Sequence, residues 1–124
     1  MTQPLALVLY DKLLPGSQVV TRLEDLGYRV AVPADPGALE TQADRDKPLV
    51  IVAELAARQS EVVASIARLR KQAATQHLPI IAFGDGNNPA SLESARQAGA
   101  TLVVSEQGVL NQLPSLLDQA LQVE

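Results

Sequence analysis

The feature that most constrains this chain is an alternation: five short apolar runs, at 5–10, 28–32, 49–53, 79–83 and 101–104, each followed by a stretch of helical period. The first run, LALVLY, is apolar throughout and the third, LVIVA, is rich in β-branched residues, as suits strands covered on both faces. Tyr28-Arg29-Val30-Ala31-Val32 alternates instead and abuts Pro33, the pattern of an edge strand. Between the runs, Val19, Val20, Leu23 and Leu26 mark a first helix that stops at Gly27. A weaker pattern covers 36–44, with the charged run Asp44-Arg45-Asp46-Lys47 read as a solvated loop after it. Val62, Val63, Ile66 and Leu69 form a stripe after Ser60, a residue suited to the N-cap. Asn88-Pro89 reads as a cap and first turn, with Leu92, Ala95 and Ala98 on one face and Gly99 as the stop. Leu113, Leu116, Leu117, Ala120 and Leu121 define a single last helix. Five strand–helix units in 124 residues leave about 25 residues each, which imposes parallel strands joined by right-handed crossovers. The expectation is one α/β domain over 1–124, a parallel sheet with helices on both faces.

Composition removes several function classes. Apolar residues make up 47% of the chain and aromatic residues 2%, so the core is aliphatic and no platform exists for stacking bases. Fourteen acids against ten bases argue against binding to nucleic acid or to an anionic membrane. With no cysteine, disulfides, thiolate zinc sites and cysteine nucleophiles are excluded, and the lone His77, read as a loop residue, cannot build a multi-histidine centre. The apolar run at 5–10 is too short for a membrane span or signal peptide, so a cytoplasmic location is expected.

In open parallel sheets the functional crevice lies outside the carboxyl ends of the strands. That rule selects Tyr10, Asp11 and Lys12, then Glu54, then Gly84 and Asp85, then Ser105 and Glu106. Four carboxylates stand among them, with Lys12 and Arg58 as neighbouring cations. Such acids could hold Mg²⁺ through Asp11 and Glu54, act as an acid/base pair, or stay solvated and cap the following helices. No nucleophile or oxyanion donor is recognisable, so no enzyme is expected. The Leu14-Pro15-Gly16-Ser17 segment has neither dinucleotide nor P-loop spacing and reads as a turn and helix start.

The stretches LALVLYDK, KPLVIVAEL, LPIIAFGD and GATLVVSE, in that order and spacing, resemble the receiver (CheY-like) domains of bacterial two-component response regulators. The resemblance covers almost the whole chain and implies a flavodoxin-like fold with strand order 2-1-3-4-5. It also implies a degenerate site. Where the family has an acidic pair that holds Mg²⁺, this chain has Tyr10 and Asp11. The phosphoacceptor aspartate matches Glu54, the hydroxyl residue ending the fourth strand matches Gly84, and the small residue after it matches Asp85. The conserved-type lysine position holds Glu106, followed by Gln107 where the family has proline, and the aromatic switch position holds Val103.

Phosphoryl transfer needs positioned cations to neutralise the charge of the equatorial oxygens. Like charges about 5 Å apart at an effective dielectric near 20 repel by roughly 3 kcal/mol, so a glutamate in place of the lysine both removes an attraction and adds a repulsion. The resemblance therefore implies a pseudo-receiver that signals by protein contact without phosphorylation and without a cofactor. Lys12 or Arg58 is expected to neutralise the acids, and Glu54 could also imitate a phosphorylated aspartate. The partner surface implied runs through 91–98, 102–104 and 109–119, the fourth helix, fifth strand and fifth helix, and would serve a protein partner or a homodimer. Leu102, Leu113 and Leu116 are its candidate apolar contacts if the last-helix stripe leaves Leu113 or Leu116 partly exposed; the alternative, and the favoured one, is that all five apolar residues of that helix pack on the sheet. A metal-dependent phosphoacceptor, or a small-molecule site on the same fold, is the alternative.

Overall fold

The computed structural model describes residues 4–10, 13–55 and 59–122. Five strands, β1 (Leu5–Leu9), β2 (Arg29–Ala31), β3 (Val50–Glu54), β4 (Ile80–Gly84) and β5 (Leu102–Ser105), form one parallel sheet in the order β2-β1-β3-β4-β5. The helices are α1 (Leu13–Asp25), α2 (Pro36–Asp46), α3 (Gln59–Lys71), α4 (Pro89–Ala98), α5 (Glu106–Asn111) and α6 (Leu113–Gln122). This is the CheY-like flavodoxin fold that the alternation and the resemblance both imply, with β2 on an edge as its sequence suggests.

Strand alternation divides the core in two. Leu5, Leu7, Leu9, Ile51, Ala53, Ile80 and Ala82 face α2, α3 and α4, where Leu39, Ala43, Val62, Ile66, Leu69 and Ala95 meet them. Ala6, Val8, Val50, Val52, Ile81 and Phe83 face α1, α5 and α6, against Val19, Leu23, Val109, Leu113, Leu116, Leu117 and Ala120. The three central strands are buried along their full length, and each large aliphatic side chain so removed from water contributes roughly 1.5–3 kcal/mol.

Local chemistry sets the helix ends. Asp35 caps α2 by accepting a hydrogen bond from the Ala38 N–H at 2.7 Å, with Pro36 in the first turn. Asn88 caps α4 in the same way through the Ser91 N–H at 3.3 Å, and Gly99 closes that helix at φ 117°, a conformation suited to glycine.

Several boundaries differ from the sequence reading. The Asp44-Arg45-Asp46 run is the exposed last turn of α2 rather than a loop, and Lys47 ends it in the left-handed conformation (φ 49°) just before Pro48. Helix α3 starts at Gln59, so Ser60 lies inside it and is not its N-cap. The last helical region is two helices: Ser105 accepts from the Gly108 N–H at 3.0 Å and starts α5 directly at the end of β5, and the chain breaks at Gln112.

At the amino end of the sheet, Arg70 of α3 ties three segments together. Its Nε donates to the Gly99 carbonyl at 2.7 Å, its Nη1 to the carbonyls of Gln76 and Leu78 at 2.9 and 2.6 Å, and its Nη2 to Thr101 Oγ1 at 3.0 Å. Thr101 Oγ1 in turn accepts from the Ile80 N–H at 3.0 Å, so the β4 and β5 entries share one polar knot.

Candidate functional site

Parallel pairing brings Tyr10, Glu54, Gly84, Asp85, Ser105 and Glu106 to the carboxyl end of the sheet, as the sequence rule requires. Asp11, Lys12 and Arg58 lie outside the described residues, and with them the expected neutralisation of the acids by either cation.

Tyr10 follows Leu9, which pairs with Ala53 of β3. It is half-buried and packs against the α1/α5/α6 core rather than reaching outward. Its ring lies directly on Gly16 in the first turn of α1, where an added Cβ would overlap the ring carbons. Glycine is required here by close approach. The position that carries a metal-binding acid in the family thus carries a packing residue in this chain.

Glu54 ends β3 opposite Phe83 and is only 3% exposed, although it is a carboxylate at a strand end. Val50 and Val52 share its face of the strand by alternation. The residue after it, Leu55, is fully buried and continues the ladder, its N–H donating to the Phe83 carbonyl at 2.9 Å.

Leu55 also determines what fits at Gly84. A Cβ on residue 84 would lie 3.3 Å from Leu55 Cβ and 3.5 Å from both Leu55 Cδ1 and Leu92 Cδ2. Where the family has a hydroxyl side chain, two leucines occupy the neighbouring space. Val103, paired with Ala82, packs into the α2/α3/α4 core as a half-buried aliphatic residue.

Asp85 and Glu106 flank a groove of about 460 Å³ completed by Gly86, Asn87, Ser105 and Gln107. Asp85 is exposed and its Oδ1 accepts from the Asn87 N–H at 2.9 Å, a turn that leads into the α4 cap. Glu106 is half-buried in the first turn of α5, where the positive end of the helix dipole favours an anion and would disfavour a lysine. Among the described residues, no group of three or more His, Cys, Asp or Glu side chains is placed to hold a metal. Mg²⁺ takes octahedral oxygen ligands, and of the acids considered for it Glu54 is buried, Asp85 serves a turn and Asp11 lies outside the described residues.

The expected partner leucines need correction. Leu113 is fully buried and Leu116 is 5% exposed, because Leu113, Leu116, Leu117 and Ala120 form one α6 face that lies on the sheet. Leu121 is the exposed leucine of that helix, and Leu102 of edge strand β5 is half-buried. Sequence reasoning passed over Leu55 and Arg70, and read Gly16 only as part of a turn and Leu92 only as a helix-face residue. The signal for Leu55 was available in the apolar residue directly after the strand-end acid, and for Arg70 in a cation one turn from Ile66 beside Leu69.

No family model and no curated protein matches the chain. Among solved structures, the receiver domain of a sensor histidine kinase from Pseudomonas aeruginosa PAO1, with a magnesium ion coordinated in its active-site cleft, is 20% identical. It superposes with a TM-score of 0.86 over 98% of this chain and 100% of that one. The chemotaxis response regulator CheY4 of Vibrio cholerae is also 20% identical, with a TM-score of 0.75 over 93% of this chain and 99% of that one. A Francisella response regulator receiver domain is 17% identical, with a TM-score of 0.73 over 94% and 98% of the two chains. The fold is therefore that of response-regulator receiver domains. No helix among the described residues is long and apolar enough to cross a membrane.

Proposed function

We propose that this chain is a pseudo-receiver: a signalling module of the two-component type that acts through protein contact, accepts no phosphoryl group, needs no cofactor and has no catalysis of its own. The observation that carries this reading is the burial of Glu54, 3% exposed at the position of the phosphoacceptor. In-line attack on a phosphoryl donor needs an accessible oxygen with positive charge and hydroxyl donors around it. Around Glu54 the corresponding positions hold Tyr10 packed on Gly16, Gly84 flanked by Leu55 and Leu92, and the anionic Glu106. A constitutive mimic of the phosphorylated state would need a hydroxyl and an aromatic switch to respond to the charge, and positions 84 and 103 supply neither.

The partner surface is then the α4–β5 side, where all four residues of β5 are partly exposed and Leu102 lies on an edge strand, and not Leu113 or Leu116. A protein partner or a second copy would meet that side. Titration with beryllofluoride and Mg²⁺, followed by amide NMR, tests the reading. The expected result is unchanged shifts at Glu54, Gly84 and Ser105. Saturable shifts at those three positions would establish the metal-dependent phosphoacceptor instead.

A further inference from the structure

A second concavity lies at the opposite end of the sheet, where the strands begin. A pocket of about 610 Å³ opens there, within the roughly 300–1,000 Å³ typical of small-ligand sites. Its walls are largely apolar, built by Pro48, Leu49, Ala120 and Leu121, with Arg70 and His77 also lining it. Leu49 is 42% exposed and Leu121 37% exposed, so two of the few large apolar side chains exposed among the described residues converge on this one concavity.

The electrostatics of Arg70 give the pocket a chemical preference. Its hydrogen bonds go to three carbonyls and a hydroxyl, all neutral. The ion pairs among the described residues involve Arg45, Arg68 and Arg96 instead, and no described carboxylate faces Arg70. Burial alone pulls its pKa below the usual guanidinium value, as desolvation without a counter-ion does. Four hydrogen bonds against five guanidinium donors also leave one N–H to offer.

We infer that this pocket binds a small carboxylate-bearing amphiphile, its apolar body against Leu49, Pro48, Ala120 and Leu121 and its head group at Arg70 and His77. The apolar walls supply affinity by burying the tail, and the partly desolvated guanidinium selects an anion over a neutral head. The inference is independent of the pseudo-receiver reading, since it uses the other end of the sheet.

Decanoate and decanol serve as matched probes, differing in head charge on the same tail. Titrations on the full chain, followed by calorimetry and amide NMR, are expected to show saturable 1:1 binding of decanoate, with shifts at His77, Thr101 and Leu121. Decanol is expected to bind at least about tenfold more weakly, the worth of a charge-assisted hydrogen bond. Leu121 lies at the rim and is 37% exposed, so Leu121→Glu is expected to keep cooperative unfolding while weakening decanoate at least about tenfold, by placing an anion beside the head group. Equal affinity for the two probes, wild-type affinity in Leu121→Glu, shifts confined to another face, or no saturable binding would each overturn the assignment.

Discussion

Replacing Gly16 by alanine tests the packing of Tyr10 on the first turn of α1. Helix propensity alone favours the change by about 0.5–1 kcal/mol, because glycine loses more backbone entropy than alanine in a helix. The added Cβ, however, would lie 2.8 Å from Tyr10 Cβ and would overlap the ring itself, so the tyrosine has to move. Overpacking of this kind costs about 1–3 kcal/mol, which leaves a net loss near 1 kcal/mol and a fall in thermal midpoint of about 3–6 °C. In a Tyr10→Gly background the ring and its Cβ are both gone, and Gly16→Ala is expected to stabilise by about 0.5–1 kcal/mol. The coupling between the two sites is then about 2 kcal/mol, well above the additivity error for independent positions. Urea unfolding of the four proteins by far-ultraviolet circular dichroism measures it. An alanine effect of the same sign and size in both backgrounds would refute the packing argument.

The remaining predictions concern the other contacts that shape the two ends of the sheet. Gly84→Thr is expected to destabilise by about 1–2 kcal/mol in urea unfolding, because its Cβ would lie 3.3 Å from Leu55 Cβ and 3.5 Å from Leu55 Cδ1 and Leu92 Cδ2, and to lose only the share set by Leu55 Cδ1 in a Leu55→Ala background. Arg70→Met keeps an unbranched stem but removes four hydrogen bonds. A loss of about 2–3 kcal/mol is expected, with faster amide exchange at Ile80 and Ala100 than in the rest of β3 and β4. Glu40 accepts from Arg68 at 2.7 and 2.8 Å and from Ser65 at 2.8 Å, and the Arg68 hydrogen bond is the main cause that lowers its pKa. A depressed carboxylate pKa stabilises the fold above the ordinary carboxylate range. The thermal-midpoint advantage over Glu40→Gln is therefore present at neutral pH, shrinks as pH falls through that range, and vanishes once Glu40 is protonated in the folded state.

The fold was legible in the sequence because buried parallel strands write themselves as short aliphatic runs, and because Asn88-Pro89 and Gly99 punctuate a helix unambiguously. The split between α5 and α6 was not, since Val109, Leu113, Leu116 and Ala120 keep nearly continuous helical spacing across the break at Gln112. The width of that stripe made Leu113 and Leu116 look available to a partner, whereas the sheet face takes Leu113, Leu116, Leu117 and Ala120 and leaves Leu121 exposed. At the candidate site, strand ends and residue types could be read directly, and Tyr10, Glu54, Gly84 and Glu106 do meet there. Their new roles were hidden because they depend on tertiary neighbours: Gly16 beneath Tyr10, Leu55 beside Gly84, and the α5 dipole beneath Glu106. Arg70 escaped notice for a similar reason, its partners being mostly backbone carbonyls, which no pattern of side chains announces.

Intact-mass spectrometry after incubation with acetyl phosphate and Mg²⁺ tests the central claim most directly, applied to the wild-type chain and to Glu54→Asp. The account predicts no adduct on either protein, because restoring the aspartate leaves Tyr10, Gly84 and Glu106 where phosphoryl transfer needs an acid, a hydroxyl and a cation. A stoichiometric gain of about 80 Da on residue 54 of either protein would contradict it.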